Sequence, residues 1–207
     1  MRRTAEAAAL TRQAILDAAL IVFAERGWGG STLDEVARRA GLTRGAVYHH
    51  FRDKSALLNA VVTESWVRCA APAWQQLVAP HMPVADRLIA FLARFLELLA
   101  DDELFRSLAI VTVTVAPHAP QTYATEKQVA LSSWRDALRS VVTELGGPPA
   151  SSVSPDGVVF GLISVLHGAT VLAAVAPEQL AASSEAPSIA AAIVHGLLHQ
   201  TSLAETS

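Results

Sequence analysis

Apolar residues recur along this chain at helical spacing, and the breaks between the runs fall at glycines and prolines. The pattern predicts an all-α protein. Thr32 and Glu35 stand three apart just before Val36 and Ala37, the spacing of a capping box that opens a short helix. Gly41 ends that helix, because glycine readily takes the left-handed conformation at a helix C-terminus. Thr43 is the next N-cap, and the helix over residues 44–51 turns Val47 and Phe51 inward, four apart on one face. Asp53 caps a fourth helix that runs to about Ala71, where Pro72 kinks or ends it. Further helices are expected over about 85–100, from Asp101 to before Pro117, over about 122–145, over 155–175 and over 188–201. The β-branched run from Ile110 to Val115 suits a strand in isolation, but its helical flanks favour helix. Gly146-Gly147-Pro148-Pro149 and the following Ala150-Ser151-Ser152 read as a loop, and residues 181–187 as another.

Two short capped helices around a glycine turn make a helix-turn-helix, whose second helix enters a DNA groove. The residues left outside fit that task. Arg44 begins the second helix and offers paired donors to guanine O6 and N7. Gly45 and Ala46 are small enough to let the helix sit deep, with the Ala46 methyl available to a thymine methyl. Tyr48, His49 and His50 supply donors for phosphate oxygens, and Lys54 joins the free N–H groups at the next helix start as an anion site. Thr32 and Thr43 complete the candidate DNA-contacting set. Singly, Tyr48 also suits the edge of a small core, and Arg44 and Lys54 suit ordinary solvated charges. His49 and His50 lack spaced partners for a metal. The case rests on their falling together on one side of one capped unit.

Charge supports this division. The 207 residues carry a net −3, yet residues 1–60 hold nine Lys/Arg against six Asp/Glu, a local +3 that leaves −6 for the remainder. A basic end attracts phosphates while an acidic body keeps the chain soluble. We therefore expect a DNA-binding unit over 1–55 and a larger helical unit over 56–207. A single cysteine, Cys69, excludes an internal disulfide, and the start of the chain lacks the apolar run of a secretory signal, so a cytoplasmic protein is expected.

Residues 11–60 resemble the N-terminal domain of the tetracycline-repressor (TetR) family of bacterial transcription regulators. The likeness is carried by Thr11-Arg12-Gln13-Ala14-Ile15-Leu16-Asp17-Ala18-Ala19, by Phe23-Ala24-Glu25-Arg26-Gly27 and by the stretch from Leu42 to Leu57. From Thr43 to Lys54 it is similar to the repressors of multidrug efflux pumps, the AcrR-like branch, with His49 where those usually carry tryptophan. The resemblance implies a homodimer on a palindromic operator in double-stranded DNA. It also implies an apolar small-molecule effector in the helical body that shifts helix four, with efflux or catabolic genes under control.

In the body, Trp66, Trp74, Phe91, Phe95, Phe105, Trp134 and Phe160 are candidates for an apolar effector cavity, with Thr112, Thr114, His118 and His167 as polar contacts. Taken singly, each aromatic suits plain core packing better. From Gly157 to Pro177 no residue is charged, long enough for a membrane span. Ser164, His167 and Thr170 interrupt that run, basic flanks are missing, and small residues recur at Gly157, Gly161, Ser164 and Gly168. A dimer interface is favoured over a span, formed by Gly161, Ser164, Val165, Gly168 and Leu172 with Ile189, Ile193, Gly196 and Leu197 of the last helix. No phosphate loop, nucleophile elbow, zinc motif or supported carboxylate pair appears, and Ser164 with His167 is a weak basis for catalysis. An enzyme is thus the remote alternative, no metal or cofactor is implied, and a ligand-independent DNA-binding adaptor is the nearer one.

Overall fold

The computed structural model describes residues 2–118, 134–144 and 153–198, and among them every regular element is helical. Ten α-helices follow in chain order. They are α1 (Arg2–Gly30), α2 (Leu33–Arg39), α3 (Arg44–His50), α4 (Lys54–Cys69), α5 (Ala71–Leu77), α6 (Val84–Asp101), α7 (Glu103–Ile110), α8 (134–143), α9 (Pro155–Val175) and α10 (Ala186–Leu198). Most of the helix expected over 122–145, the loop after it and the end of the last helix lie outside the described residues.

Local signals set most boundaries. Gly27 sits at φ 66° and bends α1 before its final turn, and Gly41 at φ 68° separates α2 from α3, a region closed to most side chains. Residues 71–77 depart from the expectation of one long fourth helix. Pro72 lies in the first turn of a separate α5, where its missing N–H is harmless. After α7 the path continues helically but widens into a π turn over Val111–Val115 and a 3₁₀ turn over Ala116–His118. The hydroxyls of Thr112 and Thr114 donate back to the carbonyls of Leu108 (2.7 Å) and Ile110 (2.8 Å), so the run remains helical despite its β-branching.

One continuous core joins the head to the body. In the head, Ile15, Leu16, Ala19, Leu20 and Phe23 of α1 bury against Val36, Val47, Phe51 and Leu57. Helix α4 belongs to both halves, and two ion pairs, Arg12–Glu64 and Asp17–Arg68, tie it to α1. In the body, α6 packs against α5 and α10, and α7 against α9. Arg87 is buried on α6, donates to the Leu77 carbonyl at 2.9 Å and pairs with Glu144 beyond α8.

Helices α1 and α9 are both long and apolar enough to cross a membrane by length and composition. The inner residues of α1 form the head core. Helix α9 is the more apolar: its most apolar window has a mean hydropathy of 2.2 against 1.5 in α1, and a third of it is buried.

Candidate nucleic-acid interface

The turn between α2 and α3 is closed by backbone bonds, from the Gly41 amide to the Arg38 carbonyl and from the Leu42 amide to the Ala37 carbonyl, and the helices around it are capped by side chains. Thr32 Oγ1 accepts from the Glu35 amide at 3.2 Å, and a Glu35 carboxylate oxygen accepts from the Thr32 amide at the same distance. The Thr32 hydroxyl also donates to that carboxylate, which leaves it no proton to give another partner. Arg26 lies 3.0 Å from Glu35 and steadies the box from α1. Thr43 Oγ1 accepts from the Ala46 amide at 3.2 Å, and Asp53 Oδ1 from the Ala56 amide at 2.7 Å. Three consecutive N-caps therefore set the angles among α2, α3 and α4.

Val47 and Phe51 anchor α3 inward, leaving Arg44, Gly45, Tyr48 and His49 exposed, with Ala46 and His50 half-buried. A Cβ built on Gly45 meets nothing closer than Thr43 Oγ1 at 3.9 Å, so the protein's own packing does not demand glycine there. Arg44 Nε lies 3.1 Å from Asp34 Oδ1, its Nη1 donates to Asp34 Oδ2 at 3.3 Å, and its Nη2 donates to the Tyr48 hydroxyl at 3.3 Å. Its guanidinium carbon sits 5.2 Å from the Tyr48 ring centre. The hydrogen bond to Tyr48 and the charge of Asp34 both raise the Arg44 pKa, so the group is permanently cationic. Tyr48 accepts that bond and keeps its own O–H to give to a phosphate.

Asp34, Arg44, Tyr48, Arg52, Asp53 and Lys54 line a shallow groove of about 440 Å³ with Ser31, Thr32 and Leu33. Lys54 points to the inner wall of this groove rather than outward. Its Nζ donates to the carbonyls of Trp28 (2.5 Å) and Ser31 (2.9 Å) and rests 4.3 Å from the Trp28 ring centre. Burial there pushes the Lys54 pKa down. His50 lies beside Arg12 and Phe51, and burial, then the charges of His49 and Arg12, lower its pKa. Sequence reasoning missed Arg52 and Asp34. Arg52 is 85% exposed and pairs only with its neighbour Asp53. Asp34 comes to Arg44 across the turn, a juxtaposition that no helical spacing signals.

The residues proposed for an effector divide into two groups. Trp66, Trp74, Phe91, Phe95, Phe105 and Trp134, from five different helices, form one aromatic cluster. Its ring centres are 4.9–6.5 Å apart, and the Trp66 indole donates to Thr112 Oγ1 at 2.9 Å. Phe160 and His167 stand apart on the outer face of α9, where Phe160 is 74% exposed, and His118 is exposed at the end of the 3₁₀ turn. Of the expected interface residues, Ser164, Gly168 and Gly196 are exposed, while Val165, Leu172, Ile189 and Ile193 are half-buried. Gly161 is in contact with Leu197 of α10 within the same chain, where a Cβ would come within 2.7 Å of the leucine.

The family model of bacterial regulatory proteins of the tetR family matches residues 15–61, the stretch from the buried half of α1 into α4. This segment is similar to the tetR family of bacterial regulatory proteins. The transcriptional regulator SrpR of Pseudomonas putida is 56% identical over 61 residues, 30% of this chain and 29% of that one. The regulator AcrR of Shigella flexneri is 48% identical over 60 residues, 29% and 28% of the two chains. The match thus spans about three-tenths of these relatives' length, and their names are those of regulators, not enzymes. Over the whole chain the likeness to solved structures is one of fold. FadR of Bacillus subtilis, solved with stearoyl-CoA, superposes with a TM-score of 0.72 at 20% identity, covering 90% of this chain and 97% of that one. The SmeT–triclosan complex superposes at 0.67 with 26% identity, covering 96% and 99%.

Proposed function

We propose that the chain is a homodimeric transcriptional repressor that reads a palindromic operator and releases it when an apolar small molecule enters the body. Residues 1–55 are the DNA-binding unit in this reading, and residues 56–207 the effector and dimerisation unit. The observation that carries it is the outward face of α3, where Arg44 and Tyr48 project beside a bare Gly45 from a helix capped by Thr43. A reader of this size needs two copies about 34–36 Å apart to span successive major grooves. The outer face of α9 supports pairing: Phe160, Ser164, His167, Gly168, Val171 and Val175 are exposed on a helix that carries no charge beyond Asp156 in its first turn. Such a stripe on a helix that also packs against α6, α7 and α10 suits a second copy better than a bilayer.

The aromatic cluster supports the effector. It begins at Trp66 on α4, the helix whose first residue is held against the DNA-facing head by Lys54. Anything that parts those rings displaces α4. FadR and SmeT were solved with stearoyl-CoA and triclosan, which favours an apolar effector by analogy, and the AcrR likeness favours efflux or catabolic genes. A cytoplasmic location follows from a DNA target. The direct ring contacts favour a second reading, an adaptor that takes no ligand; a thermal-shift screen with apolar compounds in which none stabilises the protein selects it.

The test is a gel shift on the DNA upstream of the protein's own gene. Wild type gives a discrete complex on a palindrome, and Arg44→Ala weakens it by about 1–3 kcal/mol. Absence of any protected palindrome, or an unchanged affinity in Arg44→Ala, contradicts the assignment. Phe160→Glu is expected to sediment as a monomer and to lose operator affinity about tenfold or more; an intact dimer removes α9 from the interface.

A further inference from the structure

The base-reading arginine is not free in solution but bracketed, and one of its brackets is an acid. A carboxylate on a DNA-facing surface calls for an explanation, because alone it repels phosphates. Asp34 has no part in capping α2, a task done by Thr32 and Glu35. Its contacts are to Arg44, through Nε at 3.1 Å and Nη1 at 3.3 Å. Tyr48 holds the opposite nitrogen, Nη2, at 3.3 Å.

A guanidinium carries five N–H donors. Asp34 and Tyr48 accept two hydrogen bonds from Arg44, one from Nη1 and one from Nη2. Nε–H also faces Asp34 at 3.1 Å, so two donors remain clear of both brackets, one on Nη1 and one on Nη2, and guanine presents two acceptors, O6 and N7. The bracketing therefore fixes the plane of the arginine and still leaves enough donors to read a base. Without it, a side chain as exposed as Arg44 must give up its rotamer freedom on binding.

We propose that Asp34 is a specificity-determining positioning residue, holding Arg44 so that the head distinguishes guanine from other bases at one operator position. The inference rests on the reading of the head as a DNA-binding unit. Asp34 contributes nothing attractive to the duplex itself; it raises the share of Arg44 conformers that meet guanine and excludes those that reach for a phosphate. Its charge and its geometry then have opposite consequences. If Asp34 acted only as a charge, its removal would tighten binding to every sequence alike. As a positioning residue, its removal leaves binding to arbitrary DNA equal or stronger and lowers discrimination at one base pair.

The experiment is selection and sequencing from a randomised duplex pool with wild type, Arg44→Ala, Asp34→Asn and Asp34→Ala, each first checked for an unchanged melting temperature. Wild type is expected to enrich a palindrome with a guanine preference that Arg44→Ala flattens. Asp34→Ala should lower that one preference about tenfold, with Asp34→Asn between the two because an amide oxygen still accepts one N–H. Preferences elsewhere in the site should hold, and in the Arg44→Ala background Asp34→Ala should have no further effect on discrimination. Asp34→Ala with the guanine preference intact and all binding tighter overturns this inference while leaving the regulator reading standing. A wild-type protein that enriches no motif overturns both.

Discussion

Head and body of this chain are held together by different physics. Around the turn, α2 and α3 are seven residues each and too short to persist alone, so three N-caps, one of them a capping box, and a lysine on two carbonyls set their angles. The body relies on aromatic rings and aliphatic side chains packed between longer helices. Relatives track this difference. Identity of 48–56% is confined to about sixty residues around the head, whereas whole-chain likeness to solved structures comes at 20% and 26%. A cap needs a particular atom at a particular place, and a DNA groove has one shape. A core accepts many sequences of similar volume.

The largest expected effect that sharpens this contrast lies in the body. Phe105 is fully buried and touches both Trp66 and Phe95 edge-on. Phe105→Ala should destabilise the fold by about 3–5 kcal/mol in denaturant titrations. A loss below 1 kcal/mol would mean that the cluster has room to spare, as a preformed cavity would.

Lys54→Met comes next and probes the join. Replacing an ammonium that bonds two carbonyls should cost about 1.5–3 kcal/mol of stability. The salt dependence of DNA binding should be unchanged, because Nζ is already engaged with Trp28 and Ser31. A slope smaller by about one unit would show that Lys54 swings out to a phosphate. Lys54→Arg, which keeps the charge, separates the two by its stability.

The smallest effect concerns pH. The His50 pKa is lowered in the folded head, by burial first and by His49 and Arg12 after it. The unfolded chain then binds more protons between the folded pKa and the ordinary value of 6.5. Stability should be fully present above that ordinary value and decline as pH falls below it. His50→Gln should flatten this part of the profile in pH-dependent melts; an unchanged profile would remove His50 from the account.

How legible these features were in the sequence follows the same division. Thr32, Glu35, Gly41, Thr43 and Asp53 act over three or four residues, so their roles could be read from spacing, and the structure bears out each boundary they set. Asp34–Arg44 and Lys54–Trp28 close over ten and twenty-six residues and depend on the path of the turn. Spacing alone left Lys54 on the outside. In the body, six aromatics chosen for their helical positions do converge. Phe160 and His167 do not, because α9 carries no charge beyond Asp156 in its first turn and so gives little signal of which side meets solvent. The separate α5 was hidden because Pro72 suits both the end of one helix and the first turn of the next.

The measurement that tests the central claim most directly is fluorescence anisotropy of the purified full chain on its own upstream DNA, in a salt series and against a scrambled duplex. The account predicts saturable binding of two protomers per palindrome, preference over the scrambled duplex, and an affinity that falls steeply with salt. Weak binding, equal for both duplexes at every salt concentration, would contradict it.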